Sequence, residues 1–322
     1  MAVGFFLLAD FKYYTRTPVD SKSENTNASV FTIVPGDSFR SITRRLADSG
    51  IIHSPFKFRL LARLNKQDKR IKTGEYRLSS TQSPGEILAK LINGKVILHR
   101  LTVPEGYNLE QIAQSVATAG LANADDFLAA ANDPQLINSL KIDAPSLEGY
   151  LFPDTYHFSR TVEPATIIDT MALELKTIFT PAWEAAARQA GFTIHQVLTL
   201  ASIIEKETGD PGERALISSV FHNRLKKRMR LESDPTVIYG IPDFDGNLTR
   251  KHLHMPGPYN TYLNTGLPPG PIANPGAEAI KAALFPEKTD YLFFVSKKDG
   301  THHFSTHFAA HNRAVKKYQL TR

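Results

Sequence analysis

The sequence predicts an α+β fold, with small strand–helix units ahead of a larger mixed domain built around a buried, glutamate-bearing helix. Three observations predict it. Val30 to Gly50 reads as strand, turn and helix; the same order returns from Leu101 to Gly120; and Ile194 to Thr208 (IHQVLTLASIIEKET) is a strongly apolar helix carrying two acids. The chain has 322 residues, and single cores rarely grow past roughly 250, so about two domains are expected. Its 42% hydrophobic and 22% charged residues exclude a disordered chain and a polytopic membrane protein.

Each element has a local reason. Met1 to Ala9 is apolar and uncharged, and Asp10, Lys12, Tyr13 and Tyr14 follow in the manner of an interfacial boundary. A bilayer core needs about 20 helical residues, so residues 1–14 are read as a partial membrane anchor. With no basic start and no small-residue cleavage site, the segment does not read as a secretory signal. Residues 15–29 (TRTPVDSKSENTNAS) have the composition of a polar linker. Val30, Thr32 and Val34 then alternate as a strand does, Pro35-Gly36-Asp37 turns, and Ser38 caps a helix through Phe39, Ile42 and Leu46 that closes at Gly50. Gly74 to Leu78 reads as a second strand, and Ser83-Pro84-Gly85-Glu86 opens a helix through Leu88, Leu91 and Ile92 that Gly94 ends. The echo follows as Leu101, Val103, Pro104, Glu105 and Gly106, then Leu109, Ile112, Val116 and Gly120, with one residue inserted in the turn. Periodicity predicts helices over Ile167–Phe179, Trp183–Ala190, Ile194–Thr208 and Ser218–Met229. The expected division is 30–98, 99–160 and 161–322.

Met255 to Gly276 (MPGPYNTYLNTGLPPGPIANPG) breaks this pattern, with 6 of the chain's 20 prolines and 4 of its 19 glycines in 22 residues. Loops of that length are functional or disordered, and the interleaved tyrosines and asparagines favour an ordered, functional loop.

Glu205 and Glu207 are the best candidates for chemistry, because they follow an apolar run near the end of a buried helix. A carboxyl against apolar walls has a raised pKa and stays protonated near neutrality, as general acid catalysis requires. Residues two apart point about 200° apart around a helix, so the two cannot act as one acid–nucleophile pair. Periodicity does not choose between them, and either can be a solvated glutamate at a helix end. Around them stand Asn223, Arg224, Asp234, Tyr239, Tyr259, Asn260, Tyr262 and Asn264. Flat aromatic faces and amides are what a polysaccharide cleft uses, although each residue alone has a structural reading: Arg224 can pair with an acid, and Asp234-Pro235-Thr236 can cap a helix.

Other chemistries fare worse. The absence of cysteine removes disulfides, thiolate metal sites and cysteine nucleophiles. His303, His307 and His311 are spaced as on a helix, but THHFST reads as strand or turn and no HExxH occurs, so no metal is expected. The net charge of +6 and the basic run Arg224 to Arg230 read as a solvated face, without nucleic acid. No P-loop, dinucleotide fingerprint or GxSxG elbow is present.

The strings LEGYLFPDTY (147–156), LASIIEKETG (200–209), VFHNRL (220–225), LESDPTVIYG (231–240), PYNTYLNTGLPPGPIANPG (258–276) and the tail YLFFV…HHFSTHFAAHN resemble the bacterial endolytic murein transglycosylase, or YceG-like, family. The resemblance runs from about Val30 to the C-terminus, and VPGDSF within the first unit also resembles a LysM module. It implies a lytic transglycosylase, a lyase without a cofactor, that cuts nascent peptidoglycan strands between N-acetylmuramic acid and N-acetylglucosamine and leaves 1,6-anhydromuramic ends. It implies Glu207 as the general acid and base, with Glu205 the secondary candidate, and it makes the Glu207-Thr208 step similar to the Glu-Ser step of other lytic transglycosylases. It further implies a single-pass anchor in the inner membrane, an extracytoplasmic catalytic domain and peptidoglycan synthases as partners. The family's anchor is a full span, and here about half of one is present. The alternatives are a hydrolase using two carboxyls, such as Glu207 with Asp234, and a non-catalytic LysM-type scaffold.

Overall fold

The computed structural model describes residues 2–20 and 28–320 and is mixed α and β. Most of the expected linker, residues 21–27, lies outside the described residues. The chain divides into two compact units. The first is residues 1–101 with 119–122 and 156–163, and the second is 102–118, 123–155 and 164–322. The segment expected as 99–160 is thus shared between them.

In the first unit, α1 (Ala2–Arg16) precedes β1 (Ser29–Ile33), α2 (Phe39–Asp48), α3 (Pro55–Leu64), β2 (Gly74–Leu78), α4 (Pro84–Asn93) and β3 (His99–Thr102). β1 and β2 pair antiparallel with Phe31 opposite Tyr76, and β3 pairs with β4 (Thr155–Phe158). The caps are those the sequence predicts. Ser38 accepts the Ser41 N–H, and Ser83 with Glu86 closes a capping box before Pro84 and Gly94. Phe31, Ile33, Leu46, Phe58, Tyr76, Ile87 and Leu91 form the core.

The structure alters the expected N-terminus. α1 does not stop at the end of the apolar run but continues to Arg16, where Tyr14 is buried and its hydroxyl donates to the Ser54 carbonyl at 3.0 Å. Thr15 and Arg16 belong to this helix, and the Asp20 N–H returns to the Ser80 carbonyl at 3.0 Å. The first two residues of the segment that reads as a tether therefore belong to the end of a helix packed on α3 and α4. No described helix is long and apolar enough to cross a membrane.

The second unit holds α5 (Leu109–Thr118), α6 (Ala124–Ala131), α7 (Pro134–Ser139), α8 (Pro164–Ile178), α9 (Pro181–Ala190), α10 (Ile194–Glu207), α11 (Arg214–Lys226), α12 (Asp234–Tyr239), α13 (Arg250–Leu253), α14 (Ala277–Leu284) and α15 (Phe308–Val315). β5 (Phe293–Ser296) and β6 (His302–Ser305) form an antiparallel hairpin beside α15. α10 is the hub, packed against α9, α11, α12 and α14. Thr193 and Gln196 start it with a capping box, and every residue from Val197 to Ile204 is buried. The Pro/Gly segment after α13 has no regular element, yet Asn260, Thr261, Ile272, Ala273 and Asn274 in it are buried.

Candidate active site

The site lies within the second unit, where α10 ends. Glu207 is its last residue and Thr208 its C-cap. The Thr208 hydroxyl donates at 2.6 Å to the Ile204 carbonyl of its own helix. The hydroxyl that meets the glutamate is instead that of Ser233, whose Oγ donates to Glu207 Oε1 at 2.6 Å.

Ser233 is placed by a knot of buried hydroxyls. Its N–H donates to Thr261 Oγ1 at 3.0 Å, Thr236 Oγ1 donates to its carbonyl at 2.7 Å, and the two threonine hydroxyls meet at 2.8 Å. The preceding residue, Glu232, has φ 50°, a left-handed conformation uncommon outside glycine, and Arg224 Nη1 holds its carboxylate at 3.0 Å. Beyond Ser233, α12 begins with Asp234, whose Oδ1 accepts the Tyr262 hydroxyl at 2.7 Å.

Glu207 is half-buried as a residue, and burial pushes its carboxyl up to about 7. The Ser233 hydrogen bond opposes this, the Asp234 charge adds to it, and the Arg224 charge works against it. A carboxyl with that pKa can give a proton and take one back near neutrality.

Glu205 has a different environment. Its side chain is only 7% exposed, Oε1 accepts from Arg214 Nη2 at 3.0 Å, and Oε2 accepts the Gly276 N–H at 3.0 Å. Glu105 stands 3.6 Å from the same guanidinium. It also lies over Gly276, where an added Cβ would come 1.9 Å from its carboxylate, so any larger residue there would have to push the Glu105 side chain aside. Glu205 is a brace between α10, α11 and the end of the Pro/Gly loop.

A third carboxyl, Glu148, is buried between α5 and α12. It accepts the Leu109 N–H at 3.1 Å, the Tyr239 hydroxyl at 3.2 Å and the Asn274 amide at 3.0 Å, and burial pushes it up to about 7. The next residue, Gly149, has φ +83°, and a Cβ there would come 2.4 Å from Pro271, so glycine lets this strand of chain approach the loop.

A YceG-like family model matches residues 31–317. The chain belongs to the YceG-like family. It is 34% identical over 319 residues to the endolytic murein transglycosylase of Bacillus subtilis strain 168, covering 94% of this chain and 87% of that protein. It is 30% identical over 331 residues to that of Streptococcus pneumoniae serotype 2, covering 92% of this chain and 59% of the longer relative. A crystal structure of a yceG-like protein from Listeria monocytogenes superposes with TM-score 0.62 at 35% identity, covering 90% of this chain and all of that one.

Within this YceG-like chain, Glu207, Asp234 and Tyr262 come together. Tyr239 and Tyr259 pack with ring centroids 4.8 Å apart and planes tilted by 58°, and the Tyr239 hydroxyl is held by Glu148. The amides and the guanidinium have structural partners. Asn223 Nδ2 donates to the carbonyls of Thr289 and Tyr291, and Arg224 donates to those of Arg230, Leu231 and Leu292. Asn260 bridges the Leu253 and Met255 carbonyls and accepts the Tyr262 N–H, while the exposed Asn264 donates to Gly257. Sequence reasoning missed Ser233, Thr261, Arg214, Glu148 and Asn274. An acid inside the apolar string around Tyr150 to Phe152 was a readable signal for Glu148; the rest are ordinary polar residues whose role exists only in three dimensions. Among the described residues no three histidine or acidic side chains gather as a metal site, and of the spaced histidines His303 lies in β6, His307 precedes α15 and His311 lies within it.

Proposed function

We propose that Glu207 is the single acid and base of an endolytic lytic transglycosylase acting on peptidoglycan. The enzyme class follows from the family and from relatives of that name over most of the chain. The observation that carries the residue assignment is the contrast at the end of α10, where Glu205 has both oxygens engaged by fixed donors, while Glu207 has one buried hydroxyl partner and a carboxyl near neutral pKa.

Neutral Glu207 donates its proton to the oxygen linking N-acetylmuramic acid to N-acetylglucosamine, and the C1–O bond breaks through an oxocarbenium-like state. The resulting carboxylate takes the proton of the muramoyl O6 hydroxyl as O6 bonds to C1 of the same sugar. One bond forms, one breaks, no water is consumed, and the glutamate is left protonated for the next cycle. The Ser233 hydroxyl keeps Glu207 oriented through both protonation states. Asp234, Tyr262, Tyr259 and Tyr239 offer the polar and aromatic surface on which the glycan rests.

The β1–α2–α3–β2 order of the first unit supports reading it as LysM-like, a grip on the glycan ahead of the cut. The apolar start of α1 supports an anchor in the cytoplasmic membrane, with the catalytic unit outside where murein lies. Nascent strands as substrate make the peptidoglycan synthases the expected neighbours.

Mass analysis of glycan strands digested by the purified chain tests the reaction. The expected products end in 1,6-anhydromuramic acid, and Glu207→Gln yields none. Reducing-end muramic acid as the main product would establish the two-carboxyl hydrolase with Asp234, and intact strands would leave the binding scaffold.

A further inference from the structure

α3 (PFKFRLLARL) contains no acidic residue. Phe58, Leu61 and Ala62 turn into the core of the first unit, while Phe56, Leu60 and Leu64 stay 67%, 36% and 64% exposed. Their four-residue spacing puts these three in one stripe along the helix, and by the 3.6-residue turn Arg59 and Arg63 flank it on one side and Lys57 on the other. The chain leaving α3 continues the charge with Lys66, Lys69, Arg70 and Lys72 against the lone Asp68. Lys57 is held by Asp10 at 2.7 Å and Arg59 donates to Thr43, whereas Arg63, Lys66, Lys69, Arg70 and Lys72 are exposed.

α1 extends the same face. Tyr14 meets Ser54 before α3, and Asp10 meets Lys57 one turn into it, so the two helices run antiparallel. The apolar end of α1, with Phe6, Leu7 and Leu8 exposed, therefore lies toward Leu60 and Leu64. A second copy of the chain would bring the same basic residues against these and be repelled. A surface that is apolar just below a layer of negative charge satisfies both halves of the pattern.

We propose that this face rests on an anionic phospholipid bilayer, with Phe56, Leu60 and Leu64 at the boundary of headgroups and acyl chains and the basic residues 63–72 over the phosphates. The contact is made by the folded unit itself, beyond any anchor α1 supplies, and it does not depend on the catalytic reading.

The test is co-sedimentation of the full chain with phosphatidylcholine vesicles, with and without about one third phosphatidylglycerol. Two triple variants leave α1 intact, Phe56→Ser/Leu60→Ser/Leu64→Ser and Arg63→Glu/Lys66→Glu/Lys69→Glu. The parent is expected on the anionic vesicles, and each variant should bind roughly ten-fold less or weaker still. Because the substituted side chains are exposed, the melting temperature should not change. Parent-like binding by both variants would overturn the proposal, since α1 alone would then hold the membrane. So would lipid-free dimerisation that the serine variant abolishes, which would assign the stripe to a second copy. Absence of anhydro products would sink the catalytic reading and leave the vesicle result standing.

Discussion

The two sides of the last turn of α10 carry the same side chain in opposite circumstances. On one side Glu205 is held between the Arg214 guanidinium and the Gly276 N–H, with little side-chain exposure. On the other, Glu207 meets the Ser233 hydroxyl, and burial holds its proton on up to about 7. The difference teaches that burial alone does not make an acid catalyst. A buried carboxyl with both oxygens taken by cationic and N–H donors is occupied as structure, while one that meets a hydroxyl and has its pKa raised by burial can cycle a proton.

The sharpest way to break this comparison is exchange of each acid for its amide. Glu207→Gln should lower the cleavage rate roughly 100-fold or more with the fold intact; a Glu205→Gln enzyme that is dead while Glu207→Gln still cuts would reverse the assignment. Glu205→Gln should act on stability instead. Removing one partner leaves the mostly buried Arg214 short of charge, which costs about 3 kcal/mol, read as a lowered denaturant midpoint beside near-normal cleavage in the cold.

Proton linkage sharpens the comparison further. The Glu207 carboxyl stands at about 7 in the folded chain against 4.5 for the ordinary value, so the native state binds more protons than the unfolded state between these limits. Its contribution to stability is fully present below 4.5 and is lost as pH rises through 7. The stability of Glu207→Gln relative to the parent should therefore grow by on the order of 2 kcal/mol from pH 4.5 to pH 8, after discounting for the half-buried position of the residue. A parallel course of the two proteins in denaturant titrations across that range would contradict the raised pKa. The smallest effect expected is that of Ser233→Ala. The lost hydroxyl favoured the charged form, so the falling high-pH limb of the rate should move upward by a fraction of a pH unit while the rate drops less than ten-fold. A downward movement would mean that Ser233 stabilises the neutral acid.

Much of the local structure was legible. Ser38, Ser83 and Thr193 cap helices where a side-chain oxygen can take up a free N–H, and Gly94 ends α4 in the left-handed conformation its missing Cβ allows. The polar and aromatic cluster was legible as a set of residues and illegible as a geometry. Asn223, Arg224 and Asn260 carry the residue types of a sugar cleft, yet they hold backbone carbonyls across 5 to 68 positions of sequence. The start of the expected tether differs for a related reason, since a polar composition does not tell a free segment from Thr15 and Arg16 at a helix end or from Asp20 tied to the Ser80 carbonyl.

By itself the sequence determined the helices α2, α4, α5 and α8 to α11, the caps at Ser38 and Ser83, the ordered Pro/Gly loop, the family and a carboxyl pair at the end of an apolar helix. Those features rest on interactions within a few residues, or on strings long enough to be distinctive. Only the tertiary structure decided between the glutamates. From Val197 to Ile204 α10 is buried all round, so no apolar stripe marks one side as the interior, and the donors that separate the pair come from α11, the turn before α12 and the end of the Pro/Gly loop, segments far apart in the chain that meet only once the core has formed.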